Sequence, residues 1–393
     1  MTPDLKVLDS IRSREHTMIQ QLKDWVSINS GSENREGLES MRNKLESAIK
    51  EIPATTLEPI PLPNGTAIQA ICRPEAPRRV FLSGHMDTVY PLDHPFQSWT
   101  MIEENRLQGP GSADMKGGLL VMIEALKGFE LSPNAKKLGW EILISTDEEI
   151  GSPGSSPFLE EAARRCEIGL VFEPAIQGSG DLSRQRLGSA TFHVTATGKA
   201  AHAGRDFASG RNAIAGLSAA ITSLHELNQL DDVTCNIGRI EGGGPLNVVP
   251  EVAKASFNFR AADPQLVENA LQSVTKQVRA EYDVALHWEG GFTRQPKLVT
   301  PAIEELFSRY QACAEALGFQ LNWRNTGGCC DGNNLAAAGL PNLDNLGVRG
   351  GNIHSSEEFV DLDSLVERTQ LTALFLTDYA ESSALDPVQR QSS

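Results

Sequence analysis

The segment Ser83-Gly84-His85-Met86-Asp87-Thr88-Val89 places an imidazole and a carboxylate two residues apart. Histidine is a common metal ligand, and a neighbouring carboxylate commonly fixes which ring nitrogen carries the proton. Alone the pair is weak, because a strand-end histidine paired for structure is the better explanation of it in isolation. Other segments supply partners. Asp114 lies in Gly109-Pro110-Gly111-Ser112-Ala113-Asp114-Met115-Lys116-Gly117-Gly118, and Asp147-Glu148-Glu149 and Glu173-Pro174 follow. His354 sits in Gly350-Gly351-Asn352-Ile353-His354-Ser355-Ser356-Glu357-Glu358. A solvated acidic loop or a surface turn is the plain alternative for each carboxylate. Three consecutive carboxylates behind an apolar run are nevertheless costly unless something positive is nearby.

The elements that must carry these groups are legible. Val80-Phe81-Leu82, Trp140 to Ile144 and Ile168 to Phe172 are short apolar runs of the kind expected for buried strands. Leu119 to Leu126 reads as an apolar helix after the glycine-rich stretch. That stretch is not a phosphate loop, since it lacks Gly-Lys-Ser/Thr. Three strands and one helix start therefore deliver a histidine or carboxylate to the carboxyl end of one sheet, where open α/β sheets place ligands. Apolar spacing predicts an amphipathic opening helix from about Leu5 to Ile28 and a second near Glu36 to Ile52. Asn64-Gly65 predicts a turn between extended segments. Later helices are expected at Ala302 to Leu317 and Leu362 to Tyr379, with Glu381 to Ser393 frayed.

From about Ser183 the texture changes. Ala190 to Thr197, Val233 to Ile240 and Val252 to Arg260 alternate. Helical stretches run near Asn212 to Leu227 and Pro264 to Ala280, and a last strand spans Asp283 to Trp288. Strand–helix–strand–strand–helix–strand is the ferredoxin-like order. The loop Gly198-Lys199-Ala200-Ala201-His202-Ala203-Gly204 presents a single histidine.

At 393 residues the chain exceeds one small core. The expected organisation is α/β: a split catalytic domain at 1–182 and 297–393, with a central mixed sheet flanked by helices, and an inserted α+β domain at 183–296. Hydrophobic residues at 40% and charged residues at 22% describe an ordinary globular composition. The net charge of −16 argues against nucleic-acid binding and requires a local positive site for any anionic substrate. The six cysteines form no Cys-x-x-Cys pair. The first residues have no apolar core, and no stretch nears the roughly 20 apolar residues of a membrane span, so a cytoplasmic location and no membrane partner are expected.

Taken together, SGHMDTV, GPGSADMKGG, STDEEIGS, VFEP, GKAAHAG, NVVP and GGNIHSSEEF occur in an order that resembles the aminoacylase/glutamate carboxypeptidase family of dinuclear zinc hydrolases. The resemblance is greatest to the bacterial members that remove C-terminal glutamate from folates. It implies a zinc-exopeptidase-like catalytic domain and a lid-type dimerisation domain, hence a homodimer. It implies that His85, Asp114 and Glu173 hold one zinc and that Asp114, Glu149 and His354 hold the other, with cobalt or manganese as alternatives. It makes Asp87 the orienting carboxylate, Glu148 the general base and His202 a lid histidine that serves a neighbouring subunit. Asn247 and Arg260 match substrate-contacting positions. Arg184, Arg294 and Gly328 are further candidates for substrate contact, with surface arginine as the plain alternative. Two zinc ions bring four positive charges and the three carboxylate ligands remove three. Cys329-Cys330 stand where many relatives have Ser or Thr, and a small polar pocket wall is the favoured explanation. The implied reaction is hydrolysis of an amide bond beside a free carboxylate in a small peptide. The alternative is deacylation of an N-acyl amino acid, of the acetylornithine or succinyl-diaminopimelate type. A non-catalytic amino-acid-binding protein on this scaffold would be expected to lose ligands or the base.

Overall fold

The computed structural model describes residues 4–53 and 55–382. The chain divides into two compact units. One contains residues up to Arg184, Val299–Asn325 and the chain from Cys330 onward; the other contains Gln185–Leu298 and Thr326–Cys329.

The first unit is built on a six-stranded mixed sheet. Its strands run in the order Thr55–Pro61, Thr66–Cys72, Gly139–Ser145, Arg79–His85, Ile168–Val171 and Asn342–Leu343. The first two form an antiparallel hairpin closed at Leu62–Gly65, where the Asn64-Gly65 turn was expected. Arg79–His85 is parallel to both of its neighbours, Gly139–Ser145 and Ile168–Val171. Those three strands therefore end on one edge, and their following residues begin there. Their side chains alternate between two cores: Val80, Leu82, Ile142, Ile144 and Leu170 on one face, Phe81, Leu143 and Val171 on the other. Burial on both faces explains why these strands are continuous apolar runs. The helices Gly118–Phe129 and Asp363–Glu381 join the larger core. Each fully buried Leu or Phe there contributes roughly 1.5–3 kcal/mol relative to exposure.

The expected single opening helix is two helices, Leu5–Ser13 and Glu15–Val26. Arg14 leaves the helical region (φ −96°, ψ 0°), and its guanidinium pairs at 2.7 Å with Glu124, which is buried. The break accompanies this long-range ion pair, which apolar periodicity cannot register. Ser383 to Ser393, most of the tail expected to fray, lies outside the described residues.

The second unit is a four-stranded antiparallel sheet in the order Val233–Gly242, Val252–Ala261, Gly188–Thr197 and Ala285–Arg294. With the helices Ala213–His225 and Pro264–Tyr282 this is the ferredoxin-like arrangement. Ala190, Phe192, Val194 and Ala196 pack with both helices. The opposite sheet face is polar, which accounts for the alternating pattern. Among the described residues, no helix is long and apolar enough to cross a membrane.

Candidate active site

Each cluster residue of the first unit is delivered by a distinct local device. His85 is the last residue of its strand and is 1% exposed. Asp87, fully buried, lies behind it: the His85 Nδ1 is 3.4 Å from Asp87 Oδ1 and 3.0 Å from the Asp87 carbonyl oxygen. The same carboxylate accepts from Ser32 Oγ at 2.8 Å and from the backbone N–H groups of Glu148 and Glu149 at 3.3 and 3.2 Å. Asp87 thus fixes the imidazole and the acidic loop together.

The acidic triplet divides its labour. Asp147 turns away and accepts from the N–H groups of Gly154 and Ser155 at 2.6 and 3.1 Å, which closes its own loop. Glu148 is buried beside His85 and Glu173, with ligand atoms within 4.8 Å of one another. Glu149 joins His85 and Asp114 within the same limit.

Asp114 lies in an irregular turn before the helix Gly118–Phe129, and its peptide bond to Met115 is cis. The glycines of this stretch are explained by shape rather than by phosphate. Gly111 has a left-handed backbone (φ +70°), and a Cβ at Gly118 would lie 2.0 Å from the Phe172 carbonyl oxygen. That close approach brings the turn beside Glu173.

Asp114 faces two histidines with its two oxygens. Oδ1 is 3.2 Å from His85 Nε2 and Oδ2 is 3.3 Å from His354 Nε2. His354 is also 3.3 Å from Glu149 Oε2, and His85 is 3.8 Å from Glu173 Oε1. The five residues expected as ligands, with Glu148 and Asp87, are therefore gathered in one place.

The electrostatics are those of a crowded acidic site. Burial opposes charge on His85, yet Asp114, Asp87 and Glu173 outweigh it and raise the imidazole well above its usual range. Hydrogen bonds donated to Asp114 and Glu149 raise His354 to about 11. Burial works against the charge of Asp114, but the two histidines hold its carboxyl below the usual carboxylate range. Burial and the charge of Asp114 push Glu149 up.

Beyond their 3.2 Å contact with each other, His85 Nε2 and Asp114 Oδ1 are buried without a hydrogen-bond partner, and Glu149 Oε1 is buried without one as well. Buried polar atoms ordinarily have one. Carboxylate oxygens crowded together with two imidazole nitrogens as their nearest cationic partners make a donor set that suits divalent cations, so the residues fit a metal pair.

Two buried groups that the sequence reading passed over support these loops. Lys116 Nζ donates to the Ile28 and Pro110 carbonyls at 2.7 and 3.3 Å, and burial lowers it to about 7. Burial and the charge of Asp114 push the Glu358 carboxyl up to about 7, against several donors that favour its anion. Their signals in the sequence are a lysine two residues after Asp114 and a glutamate four after His354.

In the second unit, Arg260, Ser189 and Arg294 share one cross-strand row. Arg260 Nε donates to Asn258 at 3.2 Å, and Arg260 Nη1 lies 3.1 Å from Cys329 Sγ. Arg186 donates to the Gly328 carbonyl at 3.1 Å. Arg294 and Arg186 are both buried. His202 is exposed; its Nδ1 accepts from the Gly204 N–H at 3.1 Å, which leaves the proton of the neutral ring on Nε2. The Asn247 loop is bridged to it through Ala203 N–H at 2.9 Å. Arg184 belongs to the first unit, where it lies 3.5 Å from Glu304 with its guanidinium over Trp323. Neither Cys329 nor Cys330 joins the metal-type groups; Cys330 caps the helix Asp331–Ala337, with its Sγ 3.0 Å from Asp344 Oδ2.

Residues 81–378 match the profile of peptidase family M20/M25/M40. The chain belongs to this family. This M20/M25/M40 peptidase is a hydrolase. It is similar to carboxypeptidase G2 of Pseudomonas sp. (strain RS-16), 28% identical over 95% of this chain and 92% of that protein. It is also similar to a succinyl-diaminopimelate desuccinylase of Psychrobacter arcticus, 29% identical over 78% of this chain and 77% of that one. Its fold is shared with the Bacillus subtilis YXEP protein, a dinuclear metal-binding peptidase of family M20, at a TM-score of 0.71 and 15% identity over 95% of this chain and 99% of that one.

Proposed function

We propose that this peptidase is a two-zinc exopeptidase that hydrolyses an amide bond beside a free carboxylate, in the manner of a glutamate carboxypeptidase. The observation that carries this reading is Asp114, one oxygen turned to His85 and the other to His354. That is the disposition of a carboxylate shared by two ions. His85, Asp114 and Glu173 would hold one, and Asp114, Glu149 and His354 the other. Ions held there would supply Lewis-acid polarisation of the scissile carbonyl and would lower the pKa of water to about 7.

The chain's own residues do the rest. Glu148 takes the proton of the attacking water and hands it to the leaving amine. Asp87 keeps the His85 ring in one orientation. Arg260, with Asn247, offers a planar fork to the substrate carboxylate. His202, with its Nε2 proton outward, donates to the oxyanion as it forms, an interaction typically worth about 2.7–4 kcal/mol. The assignment of these three residues to that substrate, and of His202 to the neighbouring subunit of a homodimer, rests on the motif resemblance.

Deacylation of an N-acyl amino acid is the second reading, favoured by the desuccinylase relative. The longer match with carboxypeptidase G2 supports the first. A panel of C-terminal glutamate peptides, their C-terminal amides and N-succinyl or N-acetyl amino acids, run on zinc-loaded protein with mass-spectrometric detection, separates the two. The free-acid glutamate peptides are expected to turn over fastest, and their amides to fail. Faster release of succinate or acetate assigns the deacylase, and equal rates on acid and amide remove Arg260 as an anchor.

A further inference from the structure

Glu358 is fully buried four residues beyond His354, and four donors surround its carboxylate. Oε1 accepts from the N–H groups of Ala113 and Asp114 at 2.9 and 3.0 Å. Oε2 accepts from Gly111 N–H at 3.0 Å and from the Tyr90 hydroxyl at 2.7 Å. Those donors come from two other segments. Gly111 to Asp114 is the turn that carries Asp114 itself, and Tyr90 lies five residues after His85. The Tyr90 hydroxyl is also 2.8 Å from the Ser355 carbonyl oxygen, on the residue next to His354. Gly109 N–H donates to the Glu358 carbonyl at 3.0 Å, and Gln108 reaches the Ser356 carbonyl at 2.8 Å. A single side chain thus joins the segments bearing His85, Asp114 and His354.

The two histidines differ in what else holds them. His85 is fixed by its strand and by Asp87. His354 sits on a loop in the left-handed region (φ 61°), with its side chain 52% exposed. The spacing between His354 and Asp114 therefore depends on the bonds around Glu358 far more than the spacing between His85 and Asp114 does.

We propose that Glu358 is a positioning residue that clamps the Asp114 turn to the His354 loop, and that its loss weakens the metal position formed by Asp114, Glu149 and His354 selectively. This rests on the two-metal reading above. Groups that orient metal ligands commonly change affinity by roughly 10–100-fold when removed. Glu358→Gln keeps the size of the side chain but sets an amide NH₂ against donors that need an acceptor. Tyr90→Phe removes one bond of the same network and leaves the carboxylate in place.

The test is a cobalt(II) titration of metal-free wild type and both variants, with affinities from chelator competition and visible absorption. Amide hydrogen exchange of the metal-free proteins is measured in parallel. Wild type is expected to take up two ions. Glu358→Gln is expected to keep the tighter one and lose roughly 10–100-fold in affinity for the other. Its amides at Gly111, Ala113 and Asp114 should exchange faster, and Tyr90→Phe should shift every reading the same way by less. Equal weakening of both ions, or unchanged exchange at those three amides, overturns the clamp. Uptake of fewer than two ions by wild type overturns the two-metal reading instead, and the exchange measurement still decides the clamp. Should Glu358→Gln fail to fold, Tyr90→Phe decides alone: a selective loss supports the clamp, and no change overturns it.

Discussion

His85 leaves the end of a central strand and is 1% exposed, whereas His354 rides on a loop with about half of its side chain open to water. The first is positioned by elements that the sheet dictates: an apolar strand buried on both faces, and Asp87 fixed by Ser32 and two backbone amides. The second is positioned by hydrogen bonds between loops far apart in sequence. The difference teaches that half of this cluster is a product of sheet topology, while the other half must be assembled. It also separates what holds each part: the strand-borne half is tied to the core, and the loop-borne half to hydrogen bonds between loops.

The largest effect is expected where the two halves meet, on the acidic loop. Glu148→Gln should lower turnover by about 10²–10⁴-fold, the usual worth of a general acid–base group. Metal content and melting temperature should not change, because Glu149 remains beside Asp114. Near-normal turnover would give the proton shuttle to another residue.

The next test separates the halves by stability. His85→Ala leaves Asp114, Asp87 and Glu173 without their shared buried cation, which should destabilise the metal-free protein by about 3–5 kcal/mol. His354→Ala removes a half-exposed partner whose interactions water screens, and it should cost less than His85→Ala. Denaturant unfolding of the two metal-free variants measures both. Equal losses would mean that the loop-borne half is as deeply bound to the core as the other.

The smallest effect is a pH dependence. His354 is raised to about 11 in the metal-free fold, against an ordinary imidazole value near 6.5. A raised base makes the folded state bind more protons than the unfolded one between those values, so stability falls as pH rises. The contribution is present in full below about pH 6.5 and is gone above about pH 11, reduced in size by solvent at a half-exposed group. Comparing unfolding of metal-free wild type and His354→Ala across that window isolates it. A wild-type advantage that grows with pH would contradict the ion pairs drawn here.

Much of the strand-borne half was readable from the chain. Short apolar runs followed by His85, by Asp147-Glu148-Glu149 and by Glu173 give both the strands and the edge on which they end. The alternating segments after Ser183 likewise give a one-sided sheet. The loop-borne half was accessible only through the motif resemblance, since nothing local tells His354 from any loop histidine. Glu358 was not legible as a support, because its partners are backbone N–H groups some 245 positions earlier, and backbone amides leave no mark on sequence. The split of the opening helix at Arg14 was hidden for a similar reason: the partner Arg14 takes there, Glu124, is a buried charge 110 positions away. Arg184 shows the limit of reading a lone cation from sequence, since the contact it makes in the fold, with Glu304, comes from a helix 120 positions away.

The central claim is that Asp114 is shared between two ions. Anomalous diffraction from crystals of the zinc-loaded protein tests it most directly. The account predicts two peaks roughly 3.5–4 Å apart, one on the side of His85 and Glu173, the other on the side of Glu149 and His354, with an oxygen of Asp114 on each. A single peak at full occupancy, or a second ion that does not touch Asp114, would contradict it.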